Sequence, residues 1–203
     1  MDADVHFSVI VPTAGRATLL GTLESIVSQL EPGDEVIVLR DGAGDFGHSA
    51  RNDAMPRAKG THLLFQDDDD QYANGAIAEM RRFAREQPDR IGIFRMRYLD
   101  GRLLWADPEL RYKNVGTPTF LIPNVPGKLG RWESDGKRDG DYVFIEETVA
   151  LQGDPVFCDH VVTHVRTDRR PARRQVQRVL EAVSRLRYRA APRTRLRRKL
   201  SRF

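Results

Sequence analysis

Asp67, Asp68, Asp69 and Asp70 follow one another one residue, Gln66, after the apolar run His62-Leu63-Leu64-Phe65 and ahead of a helix-like stretch. Carboxylates this close repel one another, and a hard divalent cation with oxygen ligands lets a fold hold them together and use them. A solvated acidic turn favouring the next helix N-terminus is the competing reading of the run taken alone. Two earlier apolar runs end in polar residues in the same manner. Phe7-Ser8-Val9-Ile10-Val11 is closed by Pro12-Thr13, and Glu35-Val36-Ile37-Val38-Leu39 by Arg40-Asp41-Gly42-Ala43-Gly44.

Both runs read as buried parallel strands. Between them, residues 17–30 place Leu19, Leu20, Leu23, Ile26, Val27 and Leu30 at helical spacing, which gives the order strand, helix, strand. After the acid cluster, residues 75–87 carry Ile77, Met80, Phe83 and Ala84 on one face, a second crossover helix. This alternation predicts an α/β fold, a mostly parallel sheet with helices on its faces. In such sheets ligands collect at the carboxyl ends of the strands. Thr13, Asp41 and the four aspartates then share one edge, although they are far apart in sequence. Later strands are expected over residues 116–122, 155–158 and 160–165.

The stretch Val9-Ile10-Val11-Pro12-Thr13-Ala14-Gly15-Arg16, the strand end Arg40-Asp41-Gly42, the segments Ala50-Arg51-Asn52-Asp53-Ala54 and Ala58-Lys59-Gly60, and Gln66-Asp67-Asp68-Asp69-Asp70 resemble the family 2 glycosyltransferases of the GT-A (Rossmann-like) fold. Their usual pattern is an apolar strand ending in Pro-Thr, then Asp-Asp-Gly, Ala-Arg-Asn and Asp-x-Asp. The match covers roughly the first half of the chain, in order and spacing. It implies transfer of a sugar from a nucleotide-sugar donor to an acceptor hydroxyl, metal-dependent and inverting.

The resemblance also implies roles. Asp41 and Thr13 would receive the donor's nucleobase, and Arg40 stands where the family has a first acid. Asp67 would reach the ribose or the metal shell, and Asp69 would be the main protein ligand to Mn²⁺ or Mg²⁺ on the diphosphate. Asp68 is a further donor-binding candidate, and solvent exposure or helix capping is the other reading for it and for Asp70. Arg51 holds a phosphate or braces its loop, and Asn52 has the same two readings. Asp141, in Asp139-Gly140-Asp141-Tyr142, resembles the family's base motif, with Gly140 where a Glu is usual. As base it would take the acceptor's proton; its other reading is a helix N-cap. Glu146 and Glu147 stand behind it as substitutes. His164, with His160 as alternate, is the histidine that would complete the metal or diphosphate site, against a structural role on a strand. Trp105 and Trp132 stack on a sugar or belong to the core.

Composition fits one catalytic domain with an appendage. The 203 residues are 40% hydrophobic and 31% charged, with a net charge of +4 that is unevenly shared. Residues 166–203 hold 15 Lys or Arg against two acids, which leaves residues 1–165 with 18 basic and 27 acidic side chains. We therefore divide the chain into a GT-A domain over 1–165 and a basic amphipathic helical tail over 166–203. The tail's stripe, Val176, Val179, Leu180, Val183 and Leu186, lies on an anionic membrane or on the domain itself. Nucleic-acid binding is the non-enzymatic alternative, weakened by the absence of an aromatic platform. A non-catalytic nucleotide-sugar-binding domain is a further alternative. No run reaches a membrane span and the first residues are acidic, so a cytoplasmic location is expected, peripheral at the inner membrane if the tail binds there. The single cysteine, Cys158, forms no internal disulfide and reads as a buried small residue. An EF-hand is disfavoured because Tyr72 and Ala78 fall at its Gly and Glu positions. A nucleotidyltransferase would carry a Gly-rich basic loop where this chain has Thr13-Ala14-Gly15-Arg16.

Overall fold

The β-branched run after His6 forms β1 (Phe7–Thr13), and all seven of its residues are buried, as befits a strand covered on both faces. The computed structural model describes residues 4–136 and 139–165. Within them β1 is flanked on either side by β2 (Glu35–Arg40) and β3 (His62–Phe65), both parallel to it. The remaining strands are β4 (Gln71–Tyr72), β5 (Gly92–Arg97), β6 (Leu103–Leu104), β7 (Phe120–Pro123) and β8 (Val156–His164). Four helices, α1 (Leu19–Val27), α2 (His48–Ala54), α3 (Ala76–Glu86) and α4 (Gly140–Gln152), complete the elements of three residues' length and more, with two short 3₁₀ turns.

The sheet order is β2-β1-β3-β7-β5-β8-β4, with β6 beside β5. β7 lies antiparallel to both β3 and β5, and β4 antiparallel to β8. The sheet is therefore mixed, which corrects the mostly parallel expectation. An apolar run reports burial, whereas strand direction depends on the connection that delivers it. The expected strand over 116–122 opens as a 3₁₀ turn at Thr117–Thr119 and extends only from Phe120. The two strands expected over 155–165 are one, β8, whose pairing with β5 shifts register around Arg95. The exposed Asp159-His160 step that looked like a break is that irregularity, and Asp159 pairs there with Arg95 at 2.6 Å. β2, expected to be buried, is an edge strand with Val38 42% exposed, because only β1 pairs with it.

Side chains alternate across β1, with Val9 and Val11 in one core cluster and Ile10 in the other. The first cluster packs β1 and β3 against Ile26 of α1 and Ile77, Met80, Phe83 and Ala84 of α3. The spacing of those α3 residues is the apolar stripe that the sequence predicts. The second cluster packs Ile10, Leu63 and Phe65 against Ala54 of α2 and Phe144 and Ile145 of α4. Trp105 and Trp132 both belong to it and are buried, so neither offers a free face to a sugar. Cys158 is half-buried rather than buried, and burial pushes its thiol up to about 11, outside reactive range at neutral pH. Among the described residues no helix is long and apolar enough to cross a membrane. The basic segment 166–203 lies outside the described residues.

Candidate active site at the carboxyl edge of the sheet

Thr13 ends β1, Asp41 follows β2, and residues 67–70 follow β3, so parallel pairing brings three distant segments to one edge. Thr13, Asp41, Asp67, Asp68 and Asp69, joined by Pro12, Ala14, Arg16, Phe46 and Gly47, line a cleft of about 180 Å³. Arg40 is exposed on the edge strand and is not among the lining residues.

The four aspartates alternate in direction. The side chains of Asp67 and Asp69 are 38% and 36% exposed toward the cleft. Asp68 and Asp70 are buried, at 5% and 4%. Solvent exposure is thus excluded for both, and neither caps the following helix, whose N-cap position is Gly75. Asp68 ties the acid segment to the end of β1: its Oδ2 accepts the Thr13 hydroxyl at 2.7 Å and the Ala14 amide at 3.2 Å. Its Oδ1 accepts Arg16 Nη1 at 3.1 Å, and the same nitrogen reaches Asp69 Oδ2 at 2.8 Å. The backbone carbonyl of Asp70 accepts the buried Thr22 hydroxyl of α1 at 2.7 Å.

Arg51, on α2, is 2% exposed. Its Nη2 forms an ion pair with Asp67, its Nη1 donates to the Phe46 carbonyl at 2.9 Å, and its guanidinium stands 4.6 Å over the Trp132 ring. Asn52 exchanges two hydrogen bonds with the Trp132 backbone, at 2.8 and 3.0 Å. The Phe46 contact braces the loop between β2 and α2, and the others fasten α2 to the acid segment and to the backbone and ring of Trp132. Burial pushes the Asp67 carboxyl upward, as do Asp69 and Asp68, against the pull of Arg51 and Arg16.

Asp41 shapes the same loop from its start. Its two carboxylate oxygens accept the amides of Gly44 at 2.8 Å and Gly47 at 3.1 Å. Gly47 has φ +81°, and a Cβ there would lie 2.6 Å from the Pro12 side chain, so only glycine fits. Phe46 beside it also has positive φ, at 61°, and is 88% exposed.

Asp141 is the second residue of α4 and so is not its N-cap; that position is held two residues earlier by Asp139, whose side chain makes no capping hydrogen bond. Asp141 Oδ1 accepts the Tyr142 amide at 2.8 Å, and Asp139 Oδ2 accepts the Tyr112 hydroxyl at 3.1 Å. Burial, followed by the charges of Asp139 and Asp67, pushes the Asp141 carboxyl up to about 6, although the Tyr142 amide and Arg51 pull it down. Asp141 therefore stands within electrostatic reach of Asp67 and Arg51. Glu147 accepts the Arg131 amide at 2.8 Å and fastens a loop to α4. A Cβ on Gly140 would lie 2.4 Å from His48 Nε2, so the imidazole of α2 occupies the space of the side chain usual before the base. Burial, then Arg51, lowers the His48 pKa and favours the neutral ring.

His164 ends β8, exposed and in register with Gln71 of β4 and Arg97 of β5. It shares the carboxyl edge, but no hydrogen bond or ion pair among the described residues joins it to the aspartates. His160 pairs with Glu79 at 3.2 Å on the surface. Among the described residues no three His, Cys, Asp or Glu side chains group closely enough to cage a metal ion. Arg16, Phe46 and His48 were not singled out from sequence. Arg16 closes the first quoted stretch but its partners lie 52 and 53 positions away, and the Gly140 that His48 meets lies 92 away.

A mixed α/β sheet with helices on both faces and a polar cleft at the carboxyl ends is a GT-A-like fold. No family model and no curated protein sequence matches the chain. Among solved structures it is similar to S. aureus TarS residues 1–349, with a TM-score of 0.60 at 17% identity over 96% of this chain and 76% of that one. A longer TarS chain gives 0.63 at 17% identity, over 96% of this chain and 46% of that one. TarS 1–349 in complex with UDP gives 0.61 at 18% identity, over 89% of this chain and 65% of that one. TarS 1–349 has also been solved in complex with UDP-GlcNAc. The chain thus spans between under half and about three quarters of the TarS chains it matches, and what it shares with them is the fold.

Proposed function

We propose that the protein is a nucleotide-sugar-dependent glycosyltransferase that acts by single displacement with inversion, as in the family 2 enzymes its motifs resemble. The observation that carries this reading is the convergence of Thr13, Asp41 and residues 67–69 in one cleft at the strand ends. The GT-A-like fold is shared with TarS, which binds UDP and UDP-GlcNAc, and this supports a uridine nucleotide sugar as donor.

The nucleoside end of the donor lies toward Thr13 and the 41–47 loop, and the diphosphate toward Asp67 and Asp69. Two half-open carboxylates suit Mn²⁺ or Mg²⁺, ions that complete their shells with substrate phosphates and water instead of an all-protein cage. Asp69 and Asp67 would hold it, with His164 as the further ligand candidate, and it would neutralise the departing diphosphate as a Lewis acid. Arg16 and Arg51 set the charge around these acids. Asp141 accepts the proton of the acceptor hydroxyl as that oxygen bonds to the anomeric carbon. The electron pair of the breaking bond leaves on the diphosphate oxygen. A carboxyl held near 6 is ionised at pH 7 to 8 and more basic than an ordinary aspartate, which suits that role.

The test is release of nucleoside diphosphate from a panel of nucleotide sugars that includes UDP-GlcNAc. Turnover that collapses in Asp141→Asn while UDP still binds is the expected result. Binding without turnover in the parent chain would leave a nucleotide-sugar-binding domain instead.

A further inference from the structure

Resting on that reading of the cleft, we propose that Phe46 is the platform on which the donor's nucleobase stacks. Base recognition here then draws on an aromatic face as well as on hydrogen bonds accepted by Asp41. Phe46 is the most exposed large hydrophobic residue among those described, 88% against 71% for Leu99. It is also the only aromatic ring among the residues lining the cleft. Its backbone has φ 61°, a conformation that a bulky residue adopts at a cost and that recurs where geometry serves a ligand.

The loop that presents the ring is built. Asp41 takes the amides of Gly44 and Gly47 on its two oxygens, Asp45 takes the Ser49 amide at 3.0 Å, and Arg51 holds the Phe46 carbonyl at 2.9 Å. Gly47 fits against Pro12 where no other residue would. The backbone is thus anchored on both sides of a ring left in solvent. An exposed apolar ring and a strained backbone both disfavour the folded chain by itself. A flat heterocycle laid on the ring removes its apolar face from water. The other charged lining groups, Arg16, Asp67, Asp68 and Asp69, follow the ends of β1 and β3, the side that this reading gives to the diphosphate. Each Asp41 oxygen already holds a loop amide, and stacking on Phe46 adds an interaction with the base that draws on neither oxygen. Every base has a π-face, so a site of this kind tolerates more than uracil.

The experiment is calorimetric titration of the full chain and of Phe46→Gly, Phe46→Ala and Phe46→Trp with UDP, CDP and inorganic pyrophosphate in the presence of Mn²⁺. Loss of one base–aromatic stack corresponds to roughly a five- to hundredfold weaker affinity. The Gly and Ala variants should lose about that much for UDP and for CDP alike, keep the parent affinity for pyrophosphate, and be matched by a Trp variant that binds as the parent does. Phe46→Gly relieves the positive φ and should melt no lower than the parent, which separates the effect from misfolding. UDP binding by Phe46→Gly equal to the parent's would overturn the stacking role and leave the glycosyltransferase reading standing. An equal loss for pyrophosphate would make Phe46 a loop-shaping residue and overturn it as well. A parent chain that binds no nucleoside diphosphate would remove both readings.

Discussion

Asp141, the proposed base, is placed where ionisation is unfavourable to folding. Burial raises its folded-state pKa to about 6, above an unfolded value near 3.9. The group's stabilising contribution is therefore complete below about pH 4 and is lost as pH rises through about 6. Asp141→Asn, neutral at every pH, should melt higher than the parent at pH 8, by about 2–4 °C for each kcal/mol relieved, with the difference closing toward pH 4 in calorimetric scans. The same substitution should lower transfer by roughly 10²- to 10⁴-fold, the usual contribution of a general base. In the parent, kcat/KM should rise with an acid limb near pH 6, and a flat profile from pH 5 to 8 would contradict the assignment. Asp139, Asp67 and Arg51 are the charges that set this limb. At this scale the acids were legible because carboxylates after apolar runs stand out from a sequence. The arginines that partner them were not, since Arg16 reaches residues 52 and 53 positions away. Arg51→Met should cost roughly 3 kcal/mol in urea unfolding, because it leaves Asp67 without its partner and uncovers Trp132.

At the scale of elements, α2 and α4 touch where Gly140 meets His48, one residue before Asp141. Gly140→Ala should drive a methyl into the imidazole and destabilise the fold by roughly 1–3 kcal/mol. His48→Ala in the same chain opens the space. The double variant should therefore be more stable than Gly140→Ala alone, and additive losses in a double-mutant cycle would show that the two residues do not meet. The departure from the usual Glu-Asp pattern was visible in the sequence, but its cause lies 92 positions away. Helices α1 and α3 were legible from apolar spacing, and α3 falls within its expected residues, whereas the seven-residue α2 carries no apolar stripe and was not read as a helix. β4 and β6 have two residues each, too few for any periodicity to register.

The whole molecule separates two kinds of buried charge by sheet edge. At the amino edge Arg81 and Asp34 pair at 2.5 Å, 2% and 0% exposed, while Arg81 also donates to the Val5 carbonyl and Asp34 accepts the Phe7 amide. These bonds tie α3 and the turn before β2 to the start of β1, the opposite end from the cleft. Arg81→Met leaves a buried carboxylate without its partner and should cost about 3–5 kcal/mol, while UDP affinity in the folded fraction stays as in the parent. The convergence of Thr13, Asp41 and the aspartates on the carboxyl edge was legible because β1, β2 and β3 follow the strand-helix-strand rule. The mixed topology was not, because β7 is a four-residue apolar run whose direction nothing local records. The account stands on three strand ends forming one donor site. Calorimetric titration of UDP into the full chain, with and without Mn²⁺ and repeated for Asp69→Asn, tests that most directly. We predict a single saturable site that Mn²⁺ tightens in the parent and does not tighten in Asp69→Asn. Absence of saturable binding under either condition, or identical titrations for the two chains, would contradict the account.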